Sequence, residues 1–293
     1  MVMGPTHAMS GAAIWLGAAA GGILPGLAGA PLPVIFVGSA VCAGSALLPD
    51  LDCPGSLSSK DGSTVVRAFG ILGEIVGHSL EKLSEAIYHA TASKKDSDRT
   101  NGHRTFTHTL VFAVLLGSMI AIAGSLTMRF ELFGKEWIFG QAVAMVTMWG
   151  CLHLALFGLF EKAMKKQRKR YGLIWVMILS GMVTAATIFQ LPVDKGYPWL
   201  GLAVGFGSLI HCFGDAITMK GVPLLWPIPI GGKCWYEIGP PQALRIRAGG
   251  AFEYIVLLPV LNIVTVILVI CLFPEGQQLV SDLWATATIK AAG

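Results

Sequence analysis

Long apolar stretches alternate with polar or Pro/Gly-rich segments along almost the whole chain. A helix that spans a bilayer needs about 20 mostly apolar residues, and about seven stretches approach that length. Their approximate bounds are His7 to Leu27, Pro33 to Leu48, Thr105 to Met128, Trp137 to Phe160, Tyr171 to Leu191, Pro198 to Met219 and Ala251 to Phe273. The pattern predicts an all-α fold, a polytopic transmembrane helix bundle of about seven spans that forms one membrane-embedded domain over residues 1–293.

The composition favours a membrane protein over a soluble domain. Hydrophobic residues make up 54% of the chain, charged residues only 13%, and the mean hydropathy is +0.67, whereas soluble domains carry about 25% charged residues. The first apolar stretch lacks a basic leader and is followed almost at once by the second. We therefore expect a retained helix rather than a cleaved signal peptide.

The six cysteines form no CxxC pair, and Cys42, Cys151 and Cys271 lie well inside apolar stretches. A thiol in such surroundings behaves as a small hydrophobic group, so we expect no disulfide framework. Cys53 and Cys212 adjoin polar motifs, where each is either a thiolate ligand or a packed thiol. We expect packed thiols at both positions.

Basic residues are distributed unevenly over the connections between the predicted spans. Seventeen of the 21 Lys and Arg residues fall on the connections between spans two and three, four and five, and six and seven. With seven spans these connections lie on one side, and the positive-inside rule places them and the N-terminus in the cytoplasm. The basic run after Phe160 is interpreted as topogenic and lipid-facing rather than as a nucleic-acid patch, so no nucleic-acid partner is expected.

Two of these cytoplasmic connections are long. Residues 56–100 form a cytoplasmic insert whose middle part has apolar residues at every third or fourth position, which predicts an amphipathic helix at the membrane surface. Residues 221–250 are rich in Pro and Gly and carry Trp226 and Trp235. This composition predicts an irregular cytoplasmic lid or a re-entrant segment at the level of the lipid headgroups.

Ionisable residues near the ends of the predicted spans form the most informative pattern, because such groups cost energy in a membrane unless they are paired, hydrated or bound to metal. Histidines and aspartates open or close the first, second, third and sixth spans, all at the predicted cytoplasmic level. These residues are His7, Asp50, Asp52, His103, His108, His211 and Asp215. The count of basic residues and the positions of these side chains are independent observations, and their agreement predicts one site that collects all seven.

The spacing of these residues refines the prediction. His211 and Asp215 are four residues apart, so they lie about 40° apart around an α-helix and can reach one ion. Asp50 and Asp52 diverge in both helical and extended backbone, so we expect one direct ligand and one residue behind it, or a bridge between two metal ions. The spacing of five between His103 and His108 fits one residue in a loop and the other in the first turn of a helix.

Some of these histidines and aspartates have plainer alternative roles. A histidine at a helix start, such as His7, is more often a capping or interfacial residue than a ligand. Asp50 can simply end a helix, although two acids directly after an apolar run favour a functional role. His153 lies inside the fourth span without an acidic neighbour in sequence. It is either a hydrogen-bonded core residue or an outer member of the site.

Mixed imidazole and carboxylate ligands suit a divalent metal, with zinc expected first and manganese or iron as alternatives. Seven candidates exceed the three protein ligands of a mononuclear catalytic zinc site, so either two ions or one ion with a separate general base fits the set. Either arrangement makes hydroxide available for attack on an ester or phosphoester. The expected catalytic residues are Asp52, His103 and Arg104, and Arg104 could hold a phosphate or carboxylate.

Four short blocks occur in order along most of the chain: HAMSG near the start, LPDLD after the second span, GHRTFTHTL at the opening of the third, and HCFGDAITMKGVPLLWP later. In these blocks the chain resembles the YdjM-like predicted membrane-bound metal-dependent hydrolases, a bacterial and archaeal inner-membrane group. The family pattern is an early His, a Pro-Asp-hydrophobic-Asp, a His-Arg-x-x-Thr-His, and a later His-x-x-x-Asp followed by Thr and a Leu-Pro element. It maps onto His7, Asp50, Asp52, His103, Arg104, Thr107, His108, His211, Asp215, Thr218 and Pro227. The resemblance implies a multi-pass inner-membrane protein with a metal-dependent hydrolase site.

The resulting hypothesis is a metal-dependent hydrolase that works at the cytoplasmic face of the membrane with one or two divalent ions. A site at headgroup depth suggests a membrane lipid or another amphipathic ester as the substrate. One rival is a transporter of metal ions or small solutes, although the fifth and seventh spans offer few polar groups for a conducting path. A second rival is a non-catalytic membrane adaptor with a structural metal site.

Overall fold

The structure is a computed structural model that describes residues 3–23, 30–53, 63–99, 101–166, 169–191, 196–279 and 282. This part of the chain is mostly helical, as the sequence predicts. Its α-helices are α1 (Gly4–Ala20), α2 (Leu32–Ser45), α3 (Thr64–Phe69), α4 (Ile71–Thr91), α5 (Leu110–Gly124), α6 (Phe139–Lys166), α7 (Lys169–Ile188), α8 (Pro198–Ala216) and α9 (Leu258–Cys271). Short 3-10 turns lie at Pro49–Asp52, Phe106–His108 and Gln242–Leu244, and a π turn at Glu253–Leu257 leads into α9.

Four of the described helical segments are long and apolar enough to cross a bilayer. They are Leu32–Asp52, Phe139–Phe160, Pro198–Ala216 and Glu253–Cys271. Leu110–Gly124 and Gly172–Ile188 are apolar but shorter, and α1 has 17 residues. The described residues therefore contain four full-length candidate spans, and not clearly the seven that the hydropathy pattern predicts.

Helix α5 illustrates why the pattern overestimates the length of a span. The predicted third span runs from Thr105 to Met128, but α5 covers only Leu110–Gly124. Thr109 has extended backbone and its side chain accepts a hydrogen bond from the Phe112 N–H. This N-cap fixes the start of the helix, and the residues before it take part in the polar site instead.

A small antiparallel hairpin, β1 (Arg129–Leu132) and β2 (Lys135–Ile138), departs from the all-α prediction. Its two turn residues, Phe133 and Gly134, have positive φ angles of 53° and 69°. Two-residue turns of this kind match the twist of the strands that they join. The predicted start of the fourth span at Trp137 is therefore wrong, because that residue lies in β2 and α6 begins at Phe139.

Helix α2 lies at the centre of the bundle and packs against α1, α6 and α8. Glycine permits the closest approaches: a Cβ at Gly44 of α2 would lie 1.9 Å from the Cys151 carbonyl oxygen of α6, and one at Gly207 of α8 would lie 2.0 Å from Ser45 Oγ. Small residues at helix interfaces allow this close packing in membrane proteins. The contact holds the end of α2 against α8, where the polar residues of the site follow.

Replacing Gly44 by Ala is expected to destabilise the bundle by about 1–3 kcal/mol, because the new methyl group has no room beside the Cys151 backbone. Gly150→Ala is the matched control in α6, since a Cβ there would meet only the tip of the Phe69 ring, at 3.9 Å. Thermal unfolding of the detergent-solubilised protein measures both variants. Equal melting temperatures would contradict the packing described above.

Glycine also divides the predicted amphipathic helix of the insert. Gly70, with a φ of 61°, ends α3 and precedes α4. Val65 and Val66 of α3 are buried, whereas Ile71 and Leu72 of α4 are 68% and 71% exposed. α4 thus presents apolar side chains that the described protein does not cover, which is typical of a helix at a membrane surface.

The Pro/Gly-rich segment of residues 221–250, which we call the lid, contains isolated β-bridges and a 3-10 turn rather than α-helices. It is fastened to the end of α4, because the indole N–H groups of Trp226 and Trp235 both donate to Thr91 Oγ1 at 3.2 Å. Just beyond α4, Asp96 accepts hydrogen bonds from the backbone N–H groups of Cys234 and Trp235. The insert and the lid therefore form one structure at the end of the bundle.

Candidate metal centre

The histidines and aspartates that the sequence singles out lie together at one end of the bundle. α1 and α5 begin at this end, and α2 and α8 finish there. The group consists of His7, Asp50, Asp52, His103, His108, His211 and Asp215, of which only His103 has appreciable exposure. Close packing of these four helices thus brings together residues that are as much as 208 positions apart in sequence, as His7 and Asp215 are.

Four of the seven residues are placed so that they could hold one metal ion. Asp50, His108, His211 and Asp215 are all buried, and one ligand atom from each lies within 4.8 Å of the other three. The two Nε2 atoms are 3.2 Å apart, and their four distances to Asp50 Oδ1 and Asp215 Oδ2 range from 3.5 to 3.9 Å. Ligand atoms around tetrahedral zinc, with bonds of ~2.0–2.1 Å, lie ~3.4 Å from one another. We call these four residues the metal cluster, because their spacing is close to that of ligands on a single ion.

Asp50 shows most directly that the metal cluster fits a cation. Its Oδ1 atom is buried and accepts no hydrogen bond from any residue that the structure describes. A buried carboxylate oxygen without a donor is costly, and the nearer of the two cluster imidazole nitrogens, His211 Nε2, lies 3.5 Å away. A cation between the carboxylate and the imidazoles would satisfy this oxygen.

Both imidazoles are oriented by hydrogen bonds at their other ring nitrogen. His211 Nδ1 lies 2.8 Å from the Ala46 carbonyl oxygen, which can only accept, so Nδ1 carries the proton. Thr107 donates its hydroxyl to Asp52 Oδ2 and lies 2.9 Å from His108 Nδ1, which therefore donates to Thr107 Oγ1. In both rings this leaves the Nε2 lone pair directed at the centre, as in proteins where an outer partner fixes the tautomer of a metal-binding histidine.

The charge around His108 also favours a cation. Burial acts to lower the pKa of His108, but the carboxylates of Asp52 and Asp215 outweigh burial and raise that pKa to about 9. The raised pKa reflects the negative charge of these carboxylates around the ring. A divalent ion bound at Nε2 would take the place of a proton there and neutralise the same carboxylates.

His7 lies beside the metal cluster rather than within it. Its ring stacks on that of His211, with centroids 3.9 Å apart and an interplanar angle of 19°. Its Nε2 atom lies 3.4 Å from Asp215 Oδ1, whereas Asp215 Oδ2 lies 3.6 and 3.9 Å from the two cluster imidazoles. A Cβ at Gly214 would come within 3.0 Å of the His7 ring, so the glycine leaves the space that the histidine fills.

Asp52 lies behind the metal cluster and binds the residues around it. The 3-10 turn Pro49–Asp52 turns about 120° per residue, so Asp50 and Asp52 point in different directions. Asp52 is fully buried and accepts hydrogen bonds from Thr107 Oγ1, from the Arg104 backbone N–H at 3.1 Å and from His103 Nδ1 at 2.9 Å. This arrangement corresponds to the alternative in which one aspartate is a direct ligand and the other supports it.

His103 is the most accessible of the seven residues, with 20% of its side chain exposed. Its Nδ1 atom donates to Asp52, so Nε2 is left as the acceptor. Its ring meets that of His108 edge to face, with centroids 5.6 Å apart. A carboxylate-oriented imidazole therefore lies next to the metal cluster and at its accessible side.

Arg104 is buried and directed inward. Its Nη2 atom lies 2.6 Å from Asp215 Oδ2, and Nη1 lies 3.4 Å from both Thr218 Oγ1 and the Gly221 carbonyl oxygen. Its positive φ of 55° turns the backbone so that the N–H reaches Asp52 while the guanidinium reaches Asp215. Arg104 thus balances the charge of one cluster carboxylate, and its part in holding a substrate phosphate or carboxylate stays a prediction.

Other candidates of the sequence analysis lie outside the metal cluster. The ring of His153 in α6 packs against the rings of Trp149 and Phe69, and its Nε2 atom lies 3.0 Å from the Ala68 carbonyl oxygen. Among the described residues the metal cluster includes neither Cys53 nor Cys212, and burial raises the pKa of the Cys53 thiol to about 11. The core interpretation of His153 and the packed-thiol interpretation of both cysteines agree with this geometry.

Sequence reasoning missed the Ala46 carbonyl, which orients His211. Every residue has a backbone carbonyl, so the residue type does not reveal which carbonyl binds a side chain. The only available signal was the end of α2, because the last carbonyls of a helix have no partner within it. The pairing of Arg104 with Asp215 was also missed, because the two residues are 111 positions apart in sequence.

One of three comparisons with known proteins identifies the family of the chain. A search of curated proteins and a search of solved structures gave no significant match. The family model described as YdjM inner membrane protein matches residues 1–273, which includes every residue of the site. The chain therefore belongs to the YdjM inner membrane protein family.

Proposed function

We propose that the protein is a membrane-embedded, metal-dependent hydrolase that acts at the cytoplasmic face of the inner membrane on a lipid or another amphipathic ester or phosphoester. The observation that carries the proposal is the convergence of two oriented imidazoles and two carboxylates, the metal cluster, beside an accessible His103–Asp52 pair. A metal-dependent hydrolase combines a bound metal ion, which acts as a Lewis acid, with a group that moves protons. The metal cluster would hold the ion, and the His103–Asp52 pair would move the protons.

The metal cluster would hold one divalent ion through Asp50, His108, His211 and Asp215. Two nitrogen and two oxygen ligands favour zinc, with manganese or iron as alternatives. When bound, the ion supplies Lewis acidity, which lowers the pKa of water and polarises an ester or phosphoryl oxygen. His7 contacts Asp215 Oδ1, and the Arg104 guanidinium contacts Asp215 Oδ2, the oxygen that also faces the cluster imidazoles, so both side chains hold this carboxylate in place.

His103 is proposed as the general base and acid. Asp52 fixes its tautomer, so Nε2 can take a proton from water and return it to the leaving group. Hydrolysis then adds one water across the ester bond, with its hydroxyl on the acyl or phosphoryl group and its proton on the departing alcohol. The Arg104 backbone N–H and Thr107 keep Asp52 in position for this role.

The location of the site supports a substrate from the membrane. The site lies at the ends of apolar helices, and the connections at this end carry most of the basic residues, which favours a cytoplasmic position for them and for the N-terminus in a multi-pass topology. Residues at the ends of spans lie at the depth of lipid headgroups. The lid and the exposed apolar side chains of α4 would lie at the same level.

Removal of the metal tests this proposal. After dialysis against a chelator, turnover of phospholipid vesicles or of a water-soluble ester is expected to fall by at least about 100-fold and to return when zinc or manganese is added. The buried ligands predict slow removal, so metal content must be measured alongside activity. Full turnover by metal-free protein would contradict the proposal. A lower melting temperature on chelation, without turnover of any ester by the loaded protein, would assign the metal a structural role instead.

A further inference from the structure

Arg99 connects the lid to the loop that carries His103. It lies between the end of α4 and that loop, and only 16% of its side chain is exposed. Its Nη1 atom donates to the carbonyl oxygens of His103, at 3.3 Å, and Arg104, at 3.1 Å. Its Nη2 atom donates to Glu237 Oε1 of the lid. One guanidinium group therefore contacts both the loop and the lid.

The peptide group between His103 and Arg104 is held from both sides. Its carbonyl oxygen accepts from Arg99, and its N–H donates to Asp52 Oδ2 at 3.1 Å. Asp52 also accepts from the His103 ring at 2.9 Å. Arg99 and Asp52 together thus fix the position of the His103 backbone, and Asp52 fixes the direction of the ring.

This restraint matters because the backbone at Arg104 has an unfavourable conformation. Its φ of 55° lies in the left-handed region, which residues other than glycine seldom adopt. Such a conformation persists only where the surrounding contacts require it. The Arg99 guanidinium is one of these contacts, because it binds the carbonyl groups on both sides of the Arg104 Cα atom. Without it, we expect the loop to relax and His103 to move away from Asp52.

The insert and the lid hold Arg99 in turn. Its Cζ atom lies 5.7 Å from the centre of the Tyr88 ring on α4, which is a cation–π contact. Tyr88 is buried, and its ring packs against that of Trp235 of the lid. Glu237 follows Trp235 by two residues. One short segment of the lid therefore contacts both the guanidinium and the ring on which it lies.

The same segment of the lid also reaches the second arginine of the loop. Ile238, which follows Glu237, exchanges backbone hydrogen bonds with Val222 at 2.8 and 3.1 Å. The neighbouring Gly221 carbonyl oxygen accepts from Arg104 Nη1 at 3.4 Å. A lid that moves away from the loop must therefore release the contacts of both arginines.

We propose that Arg99 is a positioning residue for His103 and that it makes the position of His103 depend on the lid. The inference rests on the proposed function, which assigns proton transfer to His103. With the lid in place, Glu237 orients the guanidinium, and the guanidinium holds the peptide group next to Asp52. When the lid moves away, the loop loses this restraint, so that closure of the lid completes the site.

Hydrogen–deuterium exchange of the detergent-solubilised full chain tests this coupling without requiring turnover. The measured quantity is the exchange rate of peptides from residues 101–108, which include the Arg104 amide bound to Asp52. Glu237→Gln removes the charge on the lid and is expected to raise this rate about threefold. Arg99→Met removes the charged hydrogen bonds to the loop and is expected to raise it at least about tenfold.

Arg129→Met is the matched control, because it breaks another arginine–glutamate pair, that with Glu136 of the hairpin at 3.1 Å. It should leave the exchange of residues 101–108 unchanged. The double variant decides whether the lid acts through Arg99. In the Arg99→Met background, Glu237→Gln is expected to add no further exchange, because the connection is already lost. An unchanged rate in either single variant, or additive effects in the double variant, would overturn the proposal.

Turnover separates this proposal from that of the hydrolase. Arg99→Met is expected to lower kcat by about 10- to 100-fold with KM and metal content unchanged, because His103 is displaced while the ion stays. Arg99→Lys should recover only part of kcat, since an ammonium group cannot reproduce the fork between loop and lid. Loss of metal in proportion to kcat would reduce Arg99 to a structural role and overturn the proposal. Coupled exchange without turnover of any ester would support the coupling and count against the hydrolase, whereas metal-dependent turnover without coupled exchange would overturn only the coupling.

Discussion

Replacing His211 by Gln is expected to abolish stoichiometric metal binding and to reduce turnover to background. The change replaces an imidazole nitrogen, one of the four converging ligand atoms, by a neutral amide, which is a much weaker ligand. Substitution of outer partners of metal ligands typically weakens binding by ~10–100-fold, so the loss of a direct ligand should exceed that range. Elemental analysis of the purified variant and a competition assay with a chromogenic chelator measure the effect.

His153→Gln is the matched control for this experiment. His153 is also a buried histidine hydrogen-bonded to a backbone carbonyl, but it lies outside the metal cluster. It is expected to keep its metal even if the melting temperature falls. Metal retained by the His211 variant, or lost equally from both variants, would contradict the assignment of the cluster.

His103→Gln is expected to lower kcat by about 10²–10⁴-fold, the range that general acid–base catalysis contributes. Its metal content should stay at the wild-type level, because His103 is not among the four cluster residues. The partial exposure of the side chain predicts little change in the free energy of unfolding. Steady-state kinetics combined with elemental analysis separates this outcome from loss of the ion.

His78→Gln provides the control for a change at an accessible histidine. His78 lies on α4, is half exposed and pairs with Glu81 at 3.3 Å. We expect no change in kcat for this variant. Wild-type turnover by the His103 variant would show that His103 is not the proton carrier. In that case, a loss of activity in the Asp52→Asn variant would have to come from a loss of structure.

The sequence predicts which residues lie close together better than it predicts which of them are placed as metal ligands. The four-residue spacing of His211 and Asp215 is enough to place both on one helix face, and the structure directs one atom from each at the same point. The positions of charged residues at span ends group the remaining candidates. Spacing could not separate Asp50 from Asp52, because their divergence depends on a 3-10 turn whose formation is decided by packing.

In the fold, too, local sequence patterns predict some features and miss others. Apolar periodicity predicts helices correctly, but it does not give their ends, which depend on caps such as Thr109 and on glycines such as Gly70. Hydropathy also cannot distinguish a span from apolar residues that turn into a hairpin, as at Trp137. The pairing of Arg104 with Asp215 follows only from tertiary structure, because nothing local in the sequence relates them.

X-ray absorption at the metal edge of the purified wild-type protein tests the central claim most directly. The structure predicts one ion per chain with a first shell of nitrogen and oxygen atoms at about 2.0–2.2 Å, including two imidazoles. Sulfur scatterers at about 2.3 Å would instead indicate that cysteines bind the ion. An absence of stoichiometric metal in protein purified without chelator and then supplied with zinc would contradict the metal centre itself.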